Sequence, residues 1–308
     1  MTSTLAPAHW TPDRIGDLRD RVALVTGGNS GIGLETARVL TRHGARVLLA
    51  GRSQEKLDEA VAALRSDQPT ARLDTVVLDL GSLASIAETS GRLADTETID
   101  LLFNNAGVMN VPERRTTSDG FELTVGTNHL GHFALTAGLL PALRRAEAAR
   151  VVTVSAIAAT WRSGRLDDLM SVRRYGAMSA YAKSKRANVV FTQELSRRLA
   201  GTALRAVSVH PGSAVTNLQR RSEDALSRAM IAVLRTVAMG SPEGAAWPSL
   251  YVATSPEVLS GAFYGPAGRD QTSGTPKPVK LPRGADDPAE GARLWAESER
   301  LTGVTFAL

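Results

Sequence analysis

Residues 21–33 restrict the fold more than any other stretch of the chain. Arg21 to Thr26 (RVALVT) is a short run of apolar, partly β-branched residues that ends in Gly27-Gly28-Asn29-Ser30-Gly31-Ile32-Gly33. Beyond it Leu34, Ala37, Leu40 and Thr41 recur at helical spacing, so the stretch reads as strand, glycine loop, helix. At such a junction the backbone N–H groups and the dipole of the new helix can hold a pyrophosphate. Gly27, Gly31 and Gly33 would then permit the turn, the close approach of phosphate and tight helix-to-strand packing. Taken alone, the same loop also reads as an ordinary structural β–α turn.

The period repeats. Arg46 to Ala50, Asp74 to Leu80 and Ile99 to Phe103 read as strands, with helices over Glu55 to Leu64 and Leu83 to Leu93 between them. Phe121 to Leu143 reads as one long helix interrupted by Gly131, Gly138 and Pro141. Arg150 to Ser155 is the next strand, and Met178 to Ala200 and Leu204 to Val209 add a further helix and strand. Strands that are apolar almost throughout are buried on both faces, so the expected fold is a doubly wound α/β domain with a parallel sheet. Trp161 to Gly176 and Gly265 to Pro288 break the rhythm, as lids and binding loops do. The expected division is an N-terminal extension over 1–20, a nucleotide-binding and catalytic domain over 21–264, and a C-terminal extension over 265–308 ending in a helix near Glu290 to Leu301.

Composition narrows the chemistry. The 308 residues include no cysteine, which excludes disulfides, thiolate nucleophiles, iron–sulfur clusters and Cys-ligated zinc together. A net charge of +5 suits an anionic ligand, but the arginine doublets are dispersed and lack interleaved aromatics, so no nucleic-acid partner is expected. The first twenty residues match neither a signal peptide nor an anchor, and no stretch reaches the roughly 18 apolar residues of a spanning helix. The expectation is a cytoplasmic protein. His129 and His132 are three apart on one helix, a spacing zinc can use, but a third ligand is missing and no metal is expected.

Tyr181-Ala182-Lys183-Ser184-Lys185 puts Tyr181 and Lys185 four apart on one helix face. A cation beside a phenol favours the phenolate, so the pair predicts a lowered tyrosine pKa and a usable proton donor and acceptor.

With these residues in place, the chain resembles the short-chain dehydrogenase/reductase family. The resemblance is carried by Thr26 to Gly33, Asp79, Asn104-Asn105-Ala106-Gly107, Asn128, Ser155, Tyr181 with Lys185, and Pro211-Gly212 followed by Thr216, all in family order. The glycines are spaced G-x-x-x-G-x-G, unlike the G-x-G-x-x-G of two-domain dehydrogenases. The resemblance implies a single Rossmann-type domain with a seven-stranded parallel sheet, and NAD(P)-dependent interconversion of an alcohol and a carbonyl. Tyr181 would be the acid/base, Lys185 would hold the nicotinamide ribose, Asn128 would anchor a proton-relay water and Ser155 would polarise the carbonyl oxygen. Gly27, Asn29, Ser30, Gly31, Ile32 and Gly33 would contact the cofactor. So would Asp79, Leu80, Asn105, Ala106, Gly107, Pro211, Gly212 and Thr216. Homodimers or homotetramers are common in such a family.

Asn128-His129-Leu130-Gly131-His132-Phe133, the 26 residues from Ser155 to Tyr181, and Asp167-Asp168-Leu169 between them resemble the retinol dehydrogenase and protochlorophyllide reductase branch. That branch implies a small apolar carbonyl or alcohol substrate, and Trp161, Met178, Leu218 and Met230 could line an apolar pocket as readily as a core. The second strand ends Ala50-Gly51-Arg52-Ser53, with no carboxylate for a ribose 2′-hydroxyl and an arginine placed for a 2′-phosphate. Arg52 and Ser53 therefore predict NADP over NAD. One departure matters: the family usually carries a Ser-Ser pair after the fifth strand with its second serine catalytic, and here the pair is Ser155-Ala156. That leaves two readings, an enzyme that uses Ser155 or a cofactor-binding sensor with an incomplete site.

Overall fold

The computed structural model describes residues 10–212 and 241–308. Thr216, Leu218 and Met230 lie outside the described residues. The sheet holds β1 (Val22–Thr26), β2 (Arg46–Gly51), β3 (Leu73–Val77), β4 (Leu101–Asn104), β5 (Arg150–Val154), β6 (Arg205–Val209), β7 (Phe263–Pro266) and β8 (Pro276–Pro278). Their order is β3-β2-β1-β4-β5-β6-β7-β8. Neighbours from β3 through β7 pair in parallel, and β8 pairs antiparallel to β7 with Tyr264 opposite Pro278 and Pro266 opposite Pro276. The expected count of seven is therefore corrected to eight. The extra strand is Pro276-Lys277-Pro278, too short and too proline-rich to show a period.

The inner strands bury both faces, as their composition requires, while the edge strands β3 and β8 are partly exposed. Val47 and Leu49 of β2 join one apolar core while Leu48 and Ala50 join the other, the period-2 alternation of a pleated strand. On the first face lie α1 (Gly31–Arg42), α2 (Gln54–Asp67) and α8 (Pro242–Thr254). On the second lie α3 (Leu83–Thr96), the short α4 (Leu123–Val125), α5 (Gly131–Gly138), α6 (Leu140–Arg144), α7 (Ala177–Arg198) and α9 (Pro288–Thr302). Serines that open α2, α3 and α8 cap them: Ser53, Ser82 and Ser241 each accept a backbone N–H two or three residues into the helix.

The helix expected over Phe121 to Leu143 is in fact three pieces. Gly126–Leu130 forms a π turn, closed by the Gly131 N–H on the Gly126 carbonyl, and α5 gives way to α6 at Leu139, just ahead of Pro141. Residues near both ends of the described chain pack onto the sheet layers. Trp10 is buried edge-on against Trp247 and Tyr251 of α8. Trp295 of α9 and Phe306 pack with Phe133 and Phe191.

Candidate active site

The C-terminal ends of β1, β4 and β5 converge on one edge of the sheet, where a crossover reverses direction between β1 and β4. After β1, Gly27 takes φ +65°, and a Cβ on Gly33 would run into the Gly27 carbonyl, so loop and helix fit only as glycines. Ser30 precedes α1 without capping it through its side chain, unlike the serines of α2, α3 and α8. The first-turn N–H groups of α1 therefore face outward as donors, which suits a phosphate. The cradle fits a dinucleotide.

Thr26 organises the neighbouring loop. Its Oγ1 accepts the Asn105 and Ala106 N–H groups at 2.9 Å each, while Asn105 Nδ2 donates to the Thr26 carbonyl at 2.7 Å. The hydroxyl hydrogen is shared between the Phe103 carbonyl at 3.1 Å and His132 Nε2 at 2.9 Å. His132 Nδ1 faces the Asn128 carbonyl at 3.0 Å, which can only accept, so Nδ1 carries the proton. Burial pushes His132 down to about 4 and His129 down to about 3, with the nearby Lys185 charge lowering His132 further and His132 lowering His129 further. His129 Nε2 pairs with Ser298 Oγ of α9 at 3.0 Å. Both histidines are thus neutral packing and bonding groups, His132 with both nitrogens engaged by Thr26 and Asn128.

Asn128 is fully buried in the π turn. Its Oδ1 accepts the Val108 N–H at 2.7 Å, and its Nδ2 donates to the Val108 carbonyl and to Ser184 Oγ at 2.9 Å each. Lys185 Nζ donates to the Val154 carbonyl at 2.9 Å. Gly107 is where these residues meet: a Cβ there would stand 3.1 Å from Asn128 Oδ1 and 3.6 Å from Lys185 Nζ. Ser184 is the residue that sequence reasoning passed over. It sits immediately before Lys185, but a helical serine bonded to the carbonyl three residues back, here Tyr181 at 2.8 Å, looks ordinary in a sequence.

Tyr181 lies on the same helix, its ring 5.8 Å from Lys185 Nζ, in a small apolar cluster with Ala158 and Ala182 against which Ala156 and Met109 pack. The expected lowering of the phenol is not what this arrangement produces. Burial pushes Tyr181 up to about 12 and Lys185 down to about 8, desolvation being the cause of both shifts. Ser155 is not brought to this group. Its Oγ is buried and donates to the Lys185 carbonyl at 2.7 Å, and the side chain beside Tyr181 is Ala156.

At the far end of the loop system Arg52 is exposed and makes no ion pair among the described residues. Ser53 beside it caps α2. Asp79 Oδ1 accepts the Gly81 N–H at 2.9 Å, and Leu80 is buried. Gly212, after Pro211, takes φ +77° and donates its N–H to His210 Nδ1 at 3.3 Å. The long insertion is pinned over α7 by Lys183, which donates to the Asp168 carbonyl at 2.5 Å and to Ser171 Oγ at 2.8 Å. Trp161, Met178 and Ile157 are each about two-fifths exposed beside it. No described helix is long and apolar enough to cross a membrane.

Comparison with known proteins agrees with this geometry. The family model described as short chain dehydrogenase matches residues 21–227. Retinol dehydrogenase 13 of Homo sapiens is 38% identical over 291 residues, covering 92% of this chain and 85% of that protein. A crystal structure of an uncharacterised protein from Mycobacterium Paratuberculosis is 39% identical with a TM-score of 0.77, covering 97% of this chain and 99% of that one. A structure from Beutenbergia cavernae, described as an NAD(P) dependent gluconate 5-dehydrogenase with bound NADP, is 28% identical with a TM-score of 0.61, over 77% of this chain and 91% of its own. The chain belongs to the short-chain dehydrogenase/reductase family, in its retinol dehydrogenase-like branch, and is an NAD(P)-dependent oxidoreductase of alcohol and carbonyl groups.

Proposed function

We propose that the protein reduces apolar carbonyl compounds, or oxidises the matching alcohols, with NADP as the hydride carrier and Tyr181 as the proton donor and acceptor. The observation that carries this reading is the meeting of Lys185 and Asn128 at Gly107, with the Tyr181 ring 5.8 Å from the Lys185 ammonium. The nicotinamide supplies or accepts the hydride when bound. Tyr181, held protonated by burial, donates its hydroxyl proton to the nascent alkoxide in the reducing direction. Lys185 places its charge next to Gly107, where it can hold a ribose and steady the phenolate left behind. Asn128, locked by Val108 and Ser184, fixes the helix that faces this lysine. Arg52, with no competing carboxylate, favours a 2′-phosphate and hence NADP. Trp161, Met178 and Ile157 offer apolar surface to the substrate.

A second reading is favoured by one specific observation, the commitment of the Ser155 hydroxyl to the Lys185 carbonyl. It makes the protein a cofactor-binding sensor with slow turnover. Purified protein mixed with NADPH and a panel of apolar aldehydes and ketones separates the two. Steady loss of NADPH absorbance supports the enzyme, and tight NADPH binding with no oxidation across the panel supports the sensor.

A further inference from the structure

Between the ends of β6 and β7 and the segment 280–283 lies a cavity of about 230 Å³. Its floor is polar and fixed. His210 is buried, and burial holds it below the usual histidine range. Its Nδ1 accepts the Gly212 N–H, so Nε2 carries the proton and donates to Gln271 Oε1 at 2.7 Å. With that oxygen engaged, the Gln271 amide nitrogen makes no hydrogen bond among the described residues and keeps both of its protons.

Gln271 is held there by an uncommon backbone. Asp270 and Gln271 both take left-handed conformations, φ +53° and +55°. Two adjacent non-glycine residues in that region cost conformational energy, and such positions concentrate at ligand sites. Two cations complete the wall. Lys280 and Arg283 line the cavity, both are exposed, and neither side chain makes an ion pair among the described residues. Among the described residues no carboxylate lines it. The nearby Glu290 is taken by Arg186, which donates to it at 3.3 and 2.8 Å. The remaining walls are apolar, led by Phe263 and Leu281, except for Thr160, whose hydroxyl is spent on the Ile157 carbonyl at 2.8 Å.

A pocket with donors from an amide, an ammonium and a guanidinium, no carboxylate, and a hydrocarbon-like remainder suits a ligand that is acceptor-only at one end and apolar at the other. We propose that this cavity binds a small amphipathic carboxylate, its chain between Phe263 and Leu281 and its carboxylate at Lys280, Arg283 and the Gln271 amide. The carboxylate can belong to the tail of a substrate or to a separate molecule. Since His210 holds both Gln271 and Gly212, the occupant bears on the turn that carries Pro211 and Gly212.

The test is direct binding of hexanoate, hexan-1-ol and hexylamine to the full chain by titration calorimetry, which requires no turnover and so stands apart from the proposed reaction. Hexanoate is expected to bind about tenfold or more tighter than hexan-1-ol, with hexylamine weakest. Lys280→Ala and Arg283→Ala should each weaken hexanoate about tenfold and leave hexan-1-ol unchanged, and Lys280→Arg should restore most of the affinity. Both altered side chains are exposed, so folding is preserved, and the melting temperature checks this. The proposal is overturned if hexanoate binds no better than hexan-1-ol, or if the two alanine variants bind it as tightly as the unaltered chain. For the active enzyme, competitive inhibition by hexanoate against the carbonyl substrate identifies a substrate tail. Noncompetitive inhibition identifies a separate ligand, and either pattern supports the site provided it is lost in the alanine variants.

Discussion

Ser155 Oγ donates to the carbonyl oxygen of Lys185 across 2.7 Å, a bond that ties the end of β5 to the middle of α7. The hydroxyl expected at the substrate thus braces the helix that carries Tyr181 and Lys185. Ser155→Ala should cost about 0.5–1.5 kcal/mol of stability, read as a lower urea midpoint, and change kcat little. Ala156→Ser places a donor beside Tyr181 and should raise kcat on a carbonyl substrate by tenfold or more, since such donors are worth roughly 2.7–4 kcal/mol in the transition state. A large fall in kcat for Ser155→Ala with no gain for Ala156→Ser would show that Ser155 reaches the substrate after all.

Arg52 governs cofactor choice in this scheme. Arg52→Ala should weaken NADPH roughly ten- to hundredfold and leave NADH nearly unchanged, because a charge-assisted hydrogen bond contributes about 1.5–3 kcal/mol. Fluorescence titration of both cofactors measures this, and equal losses for the two would remove Arg52 from the 2′-phosphate.

Tyr181→Phe should abolish turnover while NADPH affinity stays close to normal. Lys185→Ala should damage both. The pH dependence should follow the lysine: carbonyl reduction is expected to decline as pH rises through about 8, where Lys185 loses its charge, while Tyr181 keeps its proton to about 12. A rate that stays level to pH 10 would contradict this role for Lys185.

Acid should destabilise the fold already between pH 7 and pH 5 through its buried histidines. His129 and His132 stay neutral down to about 3 and about 4, whereas in the unfolded chain they take up a proton near 6.5. Below that pH the unfolded state binds more protons, so stability falls as pH falls, by about 1.4 kcal/mol per unit for each histidine. Urea midpoints at pH 7, 6 and 5 give the slope. His210, also held below the usual range by burial, adds to the slope in the same direction, and His129→Gln, which deletes one of these buried histidines, should make it shallower.

Much of this was legible in the sequence, and what was not has physical causes. The strands β1 to β6 are visible because parallel strands buried on both faces read as apolar runs. β7 and β8 are not, because Phe263-Tyr264-Gly265-Pro266 and Pro276-Lys277-Pro278 owe their place to pairing rather than to propensity. Tyr181, Lys185 and Asn128 were visible as a spaced set. The side chain that faces them was not, since the choice between Ser155 and Ala156 is a matter of which face each takes after β5. The direction of the Tyr181 shift is not legible there for a related reason: spacing shows that a cation is near, but not how deeply the phenol is buried.

β8 also has a consequence for how the molecule behaves at high concentration. A parallel sheet ending at β7 would present an open row of donors and acceptors to any extended chain. β8 covers that row with a three-residue strand in which Pro276 and Pro278 have no N–H to offer and Lys277 carries a charge between them. A further strand adding at that margin would find two missing donors and a cation, which are the means by which soluble β-proteins resist edge-to-edge aggregation.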